Sequence, residues 1–136
     1  MKLARAVYVS RCRPDVSLWQ ATAEIVGASY ARNTRDDLTG VLLCHDGWFV
    51  QVLEGLPERV RRLLDRIATD PRHTDMAVVD FTPCMERRFG AWAMAHVVLA
   101  PEAVKSRGAF DPSGMSAGEL LGLLDTAHAA ASQPGG

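Results

Sequence analysis

The sequence predicts an α+β fold of the split βαβ type, extended by one strand. Three observations carry this reading. Strand-like and helix-like periodicities alternate in the order βαββαβ. The pair Asp46-Gly47 joins two apolar runs as a hairpin turn. A length of 136 residues supports one hydrophobic core rather than two.

The elements follow in chain order. Ala6 to Ser10 reads AVYVS, a β-branched and aromatic run closed by Arg13-Pro14-Asp15, and predicts a short first strand. From Ser17, an N-cap residue, Leu18, Ala21, Ile25, Ala28 and Ser29 recur at three-and-four spacing up to Asn33, which predicts an amphipathic helix. Val41 to Cys44 and Trp48 to Leu53 are the arms of the hairpin, strands two and three. Pro57 to Asp70 carries Val60, Leu63, Leu64 and Ile67 on one face, with Arg59, Arg62 and Arg66 along a flanking stripe, and predicts a second helix. Met76 to Phe81 supplies strand four and Trp92 to Leu99 a fifth strand. In the tail, Ser116-Ala117-Gly118-Glu119 is a capping box before the apolar helical surface of Leu120, Leu121, Leu123, Leu124 and Ala127.

This order is that of a ferredoxin-like βαββαβ fold with an additional strand. Strands one and three lie side by side at the centre, both helices cover one sheet face, and the C-terminal helix is expected to cap the other. The division expected is a domain over residues 1–100 followed by a helical extension over 101–136.

Composition narrows the function classes. Apolar residues make up 48% and charged residues 23%, a globular rather than a disordered balance. The net charge of -1 gives no field to steer the chain to nucleic acid or to an anionic membrane, and no apolar run is long enough to span a bilayer. Cys12, Cys44 and Cys84 form neither a C-x-x-C pair nor an even framework, and the N-terminus does not read as a signal peptide, so a reducing cytoplasm is expected. The length leaves no room for a second catalytic module, so an output is expected to pass through a partner or self-association.

Polar residues in apolar runs point to a site. Gln51 interrupts Trp48-Phe49-Val50-Gln51-Val52-Leu53, and its amide, with two donors and two acceptor lone pairs, needs polar company in a core. Alternation places Gln51 with Phe49 and Leu53, and Tyr8 with Ala6 and Ser10; neighbouring strands one and three would let Tyr8 and Gln51 meet. Two such groups can also satisfy each other for structure alone, and Asn33 can serve simply as a helix C-cap. Arg66, Asp70, Arg72 and His73 read equally as a solvated surface. A groove floored by Tyr8 and Gln51 and edged by Asn33, Arg66 and His73 would nonetheless suit a flat heteroaromatic ring with an anionic tail.

Several linked motifs resemble one known family. They are Val7-Tyr8-Val9-Ser10; Arg32-Asn33 followed by Leu38-Thr39-Gly40-Val41-Leu42-Leu43; Phe49-Val50-Gln51-Val52-Leu53-Glu54-Gly55; Asp70-Pro71-Arg72-His73; and Arg87-Arg88-Phe89-Gly90-Ala91-Trp92-Ala93-Met94. In this order, from about Leu3 to about Leu99, they resemble the BLUF domains, the flavin-binding blue-light sensors of bacteria. The resemblance implies non-covalent FAD, with FMN or riboflavin as the other flavins the groove would take. It implies Tyr8 as photochemical donor, Gln51 as switch amide and Asn33 on the carbonyl edge of the ring. Ile25 would pack on that ring with Ser29 close by, Arg66 and His73 would lie near the ribityl phosphate, and Trp92 and Met94 on strand five would pass the signal on. It also implies a downstream protein partner and a homo-oligomer. Arg32 departs from the family, which often has a second asparagine there, and bears on flavin affinity; Cys44 and His45 stand where an aromatic is frequent.

Two other functions fit the same fold. An acylphosphatase-like hydrolase would use Arg11, Arg13 and Asn33 to bind phosphate, although Arg11-Cys12-Arg13-Pro14-Asp15, read as a loop, lacks the glycine a phosphate nest normally needs. A colourless ligand-binding or assembly module would leave Tyr8 and Gln51 purely structural.

Overall fold

The computed structural model describes residues 2–13, 35–89, 95–98 and 111–132. They form strands β1 (Leu3–Cys12), β2 (Thr39–His45) and β3 (Trp48–Gly55), helix α1 (Pro57–Ala68), strands β4 (His73–Cys84) and β5 (Ala95–Val98), a short 3-10 turn (Pro112–Gly114) and helix α2 (Ala117–Ser132). The expected first helix, with Ile25, Ser29, Arg32 and Asn33, lies outside the described residues, as do Trp92 and Met94.

The sheet order is β4-β1-β3-β2-β5. β1 and β3 are antiparallel neighbours at the centre, as the split βαβ pattern requires, and β5 adds to β2 in parallel, Val41 opposite Ala95. The β2–β3 hairpin turns on Asp46 and Gly47, with φ of 50° and 79°. Both lie in the left-handed region a two-residue hairpin demands, and the asparagine-like side chain of Asp and the bare glycine enter it at least cost. Gly40 answers a different need, since a Cβ built on it would lie 2.1 Å from the Val52 carbonyl oxygen across the β2–β3 pair.

β1 and β4 run longer than expected. The first strand takes in Arg5 and Arg11, whose charges are placed by Glu54 (Nε to Oε2, 2.8 Å) and by the Trp48 ring (4.5 Å to its centroid). β4 extends to His73 and Cys84 because it follows the whole of β1, through two register shifts that keep an edge strand in step. α1 stops at Ala68, with Thr69 as C-cap.

Alternation sorts the core into two clusters, one on each sheet face. Ala6, Tyr8, Leu42, Cys44, Phe49 and Leu53 pack with Val60, Leu63 and Leu64 of α1. Val7, Val9, Val41, Leu43, Trp48, Val50 and Val52 pack with Phe89 and with Leu120 and Leu124 of α2. The capping box is formed: Glu119 N donates to Ser116 Oγ (3.2 Å) and Ser116 N to Glu119 Oε1 (3.1 Å). Among the described residues, no helix is long and apolar enough to cross a membrane.

Candidate functional site

Register brings the two polar strand residues together. Tyr8 of β1 stands opposite Gln51 of β3. Its hydroxyl donates to Gln51 Oε1, and both side chains are buried. Burial pushes the Tyr8 phenol above its ordinary value, and charge at Cys44 and then Asp70 adds to the rise. The phenol is therefore a held O–H donor, and the amide's Nε2 is the end turned from it.

His73, the first residue of β4, borders this pair. Its ring centroid lies 6.5 Å from that of Tyr8 and 6.4 Å, edge-on, from that of Phe49, and its Nε2 is 2.6 Å from the Ile67 carbonyl oxygen. Because a carbonyl only accepts, Nε2 carries the proton. The turn before it is fixed by Asp70, whose carboxylate accepts from Arg72 N (2.9 Å), Nε (2.9 Å) and Nη2 (2.6 Å). The hydrogen bond from that guanidinium holds the Asp70 carboxyl below its ordinary value. Asp70 and Arg72 thus brace the turn that leads into His73, where sequence reasoning read a solvated surface. Arg66 lines an open groove together with Asp36, Arg59, Arg62 and Leu63.

A flavin fits this face of the sheet. The ring requires in-plane hydrogen-bonding partners among apolar walls, and Gln51 supplies an amide that is only 2% exposed among Ala6, Phe49 and Leu53. Ser10, on the Tyr8 side of β1 by alternation, is fully buried, and its Oγ has no hydrogen-bond partner among the described residues. An orphan hydroxyl in such a place suits a polar ligand.

The phosphate loop of the hydrolase reading is not formed as read. Arg11 and Cys12 belong to β1, and the amide donors a nest would use are taken, Cys12 N by the Gly47 carbonyl (2.8 Å) and Arg13 N by that of Arg72 (3.2 Å).

Sequence reasoning also missed Glu54. This carboxylate of β3 is fully buried on the face opposite Gln51, and three N–H groups meet it: Arg5 Nε and Arg88 N at Oε2, both 2.8 Å, and Phe89 N at Oε1, 2.7 Å. These bonds offset the cost of a buried charge. Nothing local in the sequence marks it, since two of its three partners come from a turn 34 and 35 residues further on.

Comparisons with known proteins agree with this geometry. The sequence matches the family model of BLUF, sensors of blue-light using FAD, over residues 3–95. It is 39% identical over 85 residues to the photoactivated adenylate cyclase subunit beta of Euglena gracilis, a match covering 62% of this chain and 10% of that protein. It is 35% identical over 94 residues to the blue light- and temperature-regulated antirepressor BluF of Escherichia coli K12, covering 68% of this chain and 23% of the relative. The chain therefore spans a tenth to a quarter of the length of these relatives. Among solved structures, BlrB, a BLUF protein in its dark state, superposes with a TM-score of 0.77 at 31% identity over 95% of this chain and 96% of its own. The photo-activated state of BlsA gives a TM-score of 0.84 at 25% identity, over 94% and 95%. With the family match running through most of the sequence and the same fold in solved members, the chain belongs to the BLUF family of blue-light sensors that use FAD.

Proposed function

We propose that this chain is a blue-light photoreceptor whose output is a change of hydrogen bonding rather than a chemical turnover. The observation that carries the reading is the buried Tyr8–Gln51 hydrogen bond between registered residues of the two central strands. Flavin, when bound, supplies a chromophore for blue light whose excited state takes up an electron. Tyr8 gives that electron together with its Oη proton and then takes both back, so no net oxidation remains. Gln51 keeps the record of the event. An amide has opposite hydrogen-bond character at its two ends, so rotation or a change of tautomer reverses the pattern at nearly constant volume. The resemblance implies that the changed amide would donate to a carbonyl of the ring and move the absorption to the red.

The other members of the site follow from the family resemblance. Asn33 holds the carbonyl edge of the ring, Ile25 packs on it with Ser29 beside it, and Arg32 tunes affinity. Arg66 and His73 serve the ribityl phosphate end, and Trp92 and Met94 carry the change along strand five. FAD is the flavin proposed, with FMN as the nearest substitute. Residues 1–100 act as the flavin-binding unit and 101–136 as the extension that moves. A protein partner or a second copy reads that movement, in keeping with the near-zero net charge. Cys12, Cys44 and Cys84 form no disulfide among the described residues, in keeping with a reducing cytoplasm. The test is the visible spectrum of the purified protein before and after blue light: a flavin spectrum with a red shift that reverses in the dark is expected. A colourless protein that does not take up flavin would favour the assembly module, and hydrolysis of acyl phosphates the enzyme.

A further inference from the structure

Strand β3 carries Gln51 on one sheet face and Glu54 on the other, and what Glu54 holds is a turn rather than a ligand. Its carboxylate takes the backbone N–H groups of Arg88 and Phe89. Arg87 pins the same turn to the sheet end, donating to Thr39 Oγ1 (2.9 Å) and to the carbonyls of Glu54 (3.1 Å) and Asp37 (2.8 Å). Phe89 enters the core cluster that contains Leu120 and Leu124 of α2. Between these anchors the Arg88 side chain leaves the turn and meets α2 directly. Its Nε donates to Asp125 Oδ1 (3.0 Å) and its Nη2 to Asp125 Oδ2, a two-pronged pair beside Leu124.

We propose that Glu54 is a positioning residue that couples β3 to α2 through the Arg88–Asp125 pair. This inference rests on the photoreceptor reading above and names the route by which its signal crosses the sheet. The chemistry suits a relay. A shift of β3 at Gln51 moves a buried carboxylate whose bonds to the 88–89 backbone are charge-assisted and short, so the turn follows it. The Arg88–Asp125 pair is half-exposed, with side chains 40% and 42% accessible, and such pairs hold geometry while adding little stability. A small displacement of the turn is therefore enough to loosen or redirect it, and α2 responds as a helix with two positions.

The test uses the full chain loaded with flavin, following amide hydrogen exchange across α2 in darkness and under blue light alongside the visible spectrum. In the unaltered protein, exchange in α2 is expected to change severalfold on illumination. Arg88→Gln and Asp125→Asn should each keep the reversible red shift and lose most of that change in α2, and the exchanged pair Arg88→Glu with Asp125→Arg should regain it. Glu54→Gln should give the same loss while leaving Arg88 and Asp125 in place; if that variant does not fold, the pair variants carry the test. The relay is overturned if α2 still responds in both single variants or in a folded Glu54→Gln protein, if the exchanged pair does not restore the response, or if the unaltered chain shows the red shift with α2 unmoved. A missing red shift in the unaltered chain overturns the photoreceptor reading instead.

Discussion

Tyr8 donates its hydroxyl to Gln51 Oε1 across the antiparallel β1–β3 pair, and both side chains are buried. On the mechanism proposed above, Tyr8→Phe takes away the electron and proton donor with no change of ring volume, and Gln51→Leu takes away the amide that would store the change. Each variant is expected to bind flavin and to show no reversible red shift in a light-minus-dark spectrum. Tyr8→Phe should also cost about 1–3 kcal/mol in denaturant unfolding, the penalty for a buried polar group that loses its partner. The double variant should recover part of that loss, because both polar ends are then gone. A red-shifted photocycle of normal amplitude in Tyr8→Phe would remove the tyrosine from the mechanism.

The phenol should hold its proton well into the alkaline range. Burial raises its folded-state value, so the unfolded chain gives up the Tyr8 proton first. The resulting stabilisation is complete below the ordinary tyrosine value of about 10 and is lost as pH rises through the raised folded value. In a Tyr30→Phe background, where Tyr8 is the remaining tyrosine, ultraviolet titration of the folded protein should show no phenolate near pH 10 (~10, the ordinary value). The amplitude of the red shift should stay level over the same interval. A phenolate signal from the folded protein at that pH would mean that the Tyr8 hydroxyl is open to solvent.

Gly40 tests the packing between the two arms of the β2–β3 hairpin. Its place in β2 leaves 2.1 Å between an added Cβ and the Val52 carbonyl oxygen, a backbone atom that cannot swing aside. Gly40→Ala should therefore separate β2 from β3 locally and lower stability by about 1–3 kcal/mol, the usual range for overpacking. Gly114→Ala, where a Cβ would meet nothing within 4 Å, is the matched control. Equal unfolding midpoints for the two variants would contradict the close approach.

What the sequence disclosed and what it withheld divide along physical lines. The Tyr8–Gln51 meeting was legible because a strand has period two and Asp46-Gly47 sets the hairpin, so one topology fixes which residues share a face. The split βαβ order then supplied the neighbour relation between β1 and β3. Glu54 was not legible: its burial comes from a turn 34 and 35 residues further on, and an acidic residue ending an apolar run reads locally as an exit to solvent. His73 was readable as a motif but not as a strand residue, since its place depends on β4 following β1 to its last residue, Cys12. Arg11 and Cys12 looked like a loop because the run of β-branched residues ends at Val9, whereas cross-strand bonds carry β1 onward.

The Asp70–Arg72 pair predicts how the site responds to acid. The guanidinium hydrogen bond holds the Asp70 carboxyl below its unfolded value, so the unfolded chain binds the proton more readily. Stability from this group is present above the ordinary aspartate value of about 4 and is lost as pH falls through the lower folded value. Arg72→Gln removes the guanidinium and should flatten that loss, so the flavin-loaded variant and the unaltered protein should converge in stability on acidification. The difference will be small, because both side chains are partly exposed and solvent screens the pair. The variant should also broaden the His73 ring signals in NMR spectra, since Asp70 no longer fixes the turn that seats the ring against Tyr8. Parallel stability curves for the two proteins from neutral pH into acid would show that the pair contributes no pH-linked stability, and unchanged His73 ring signals would show that it does not seat the ring.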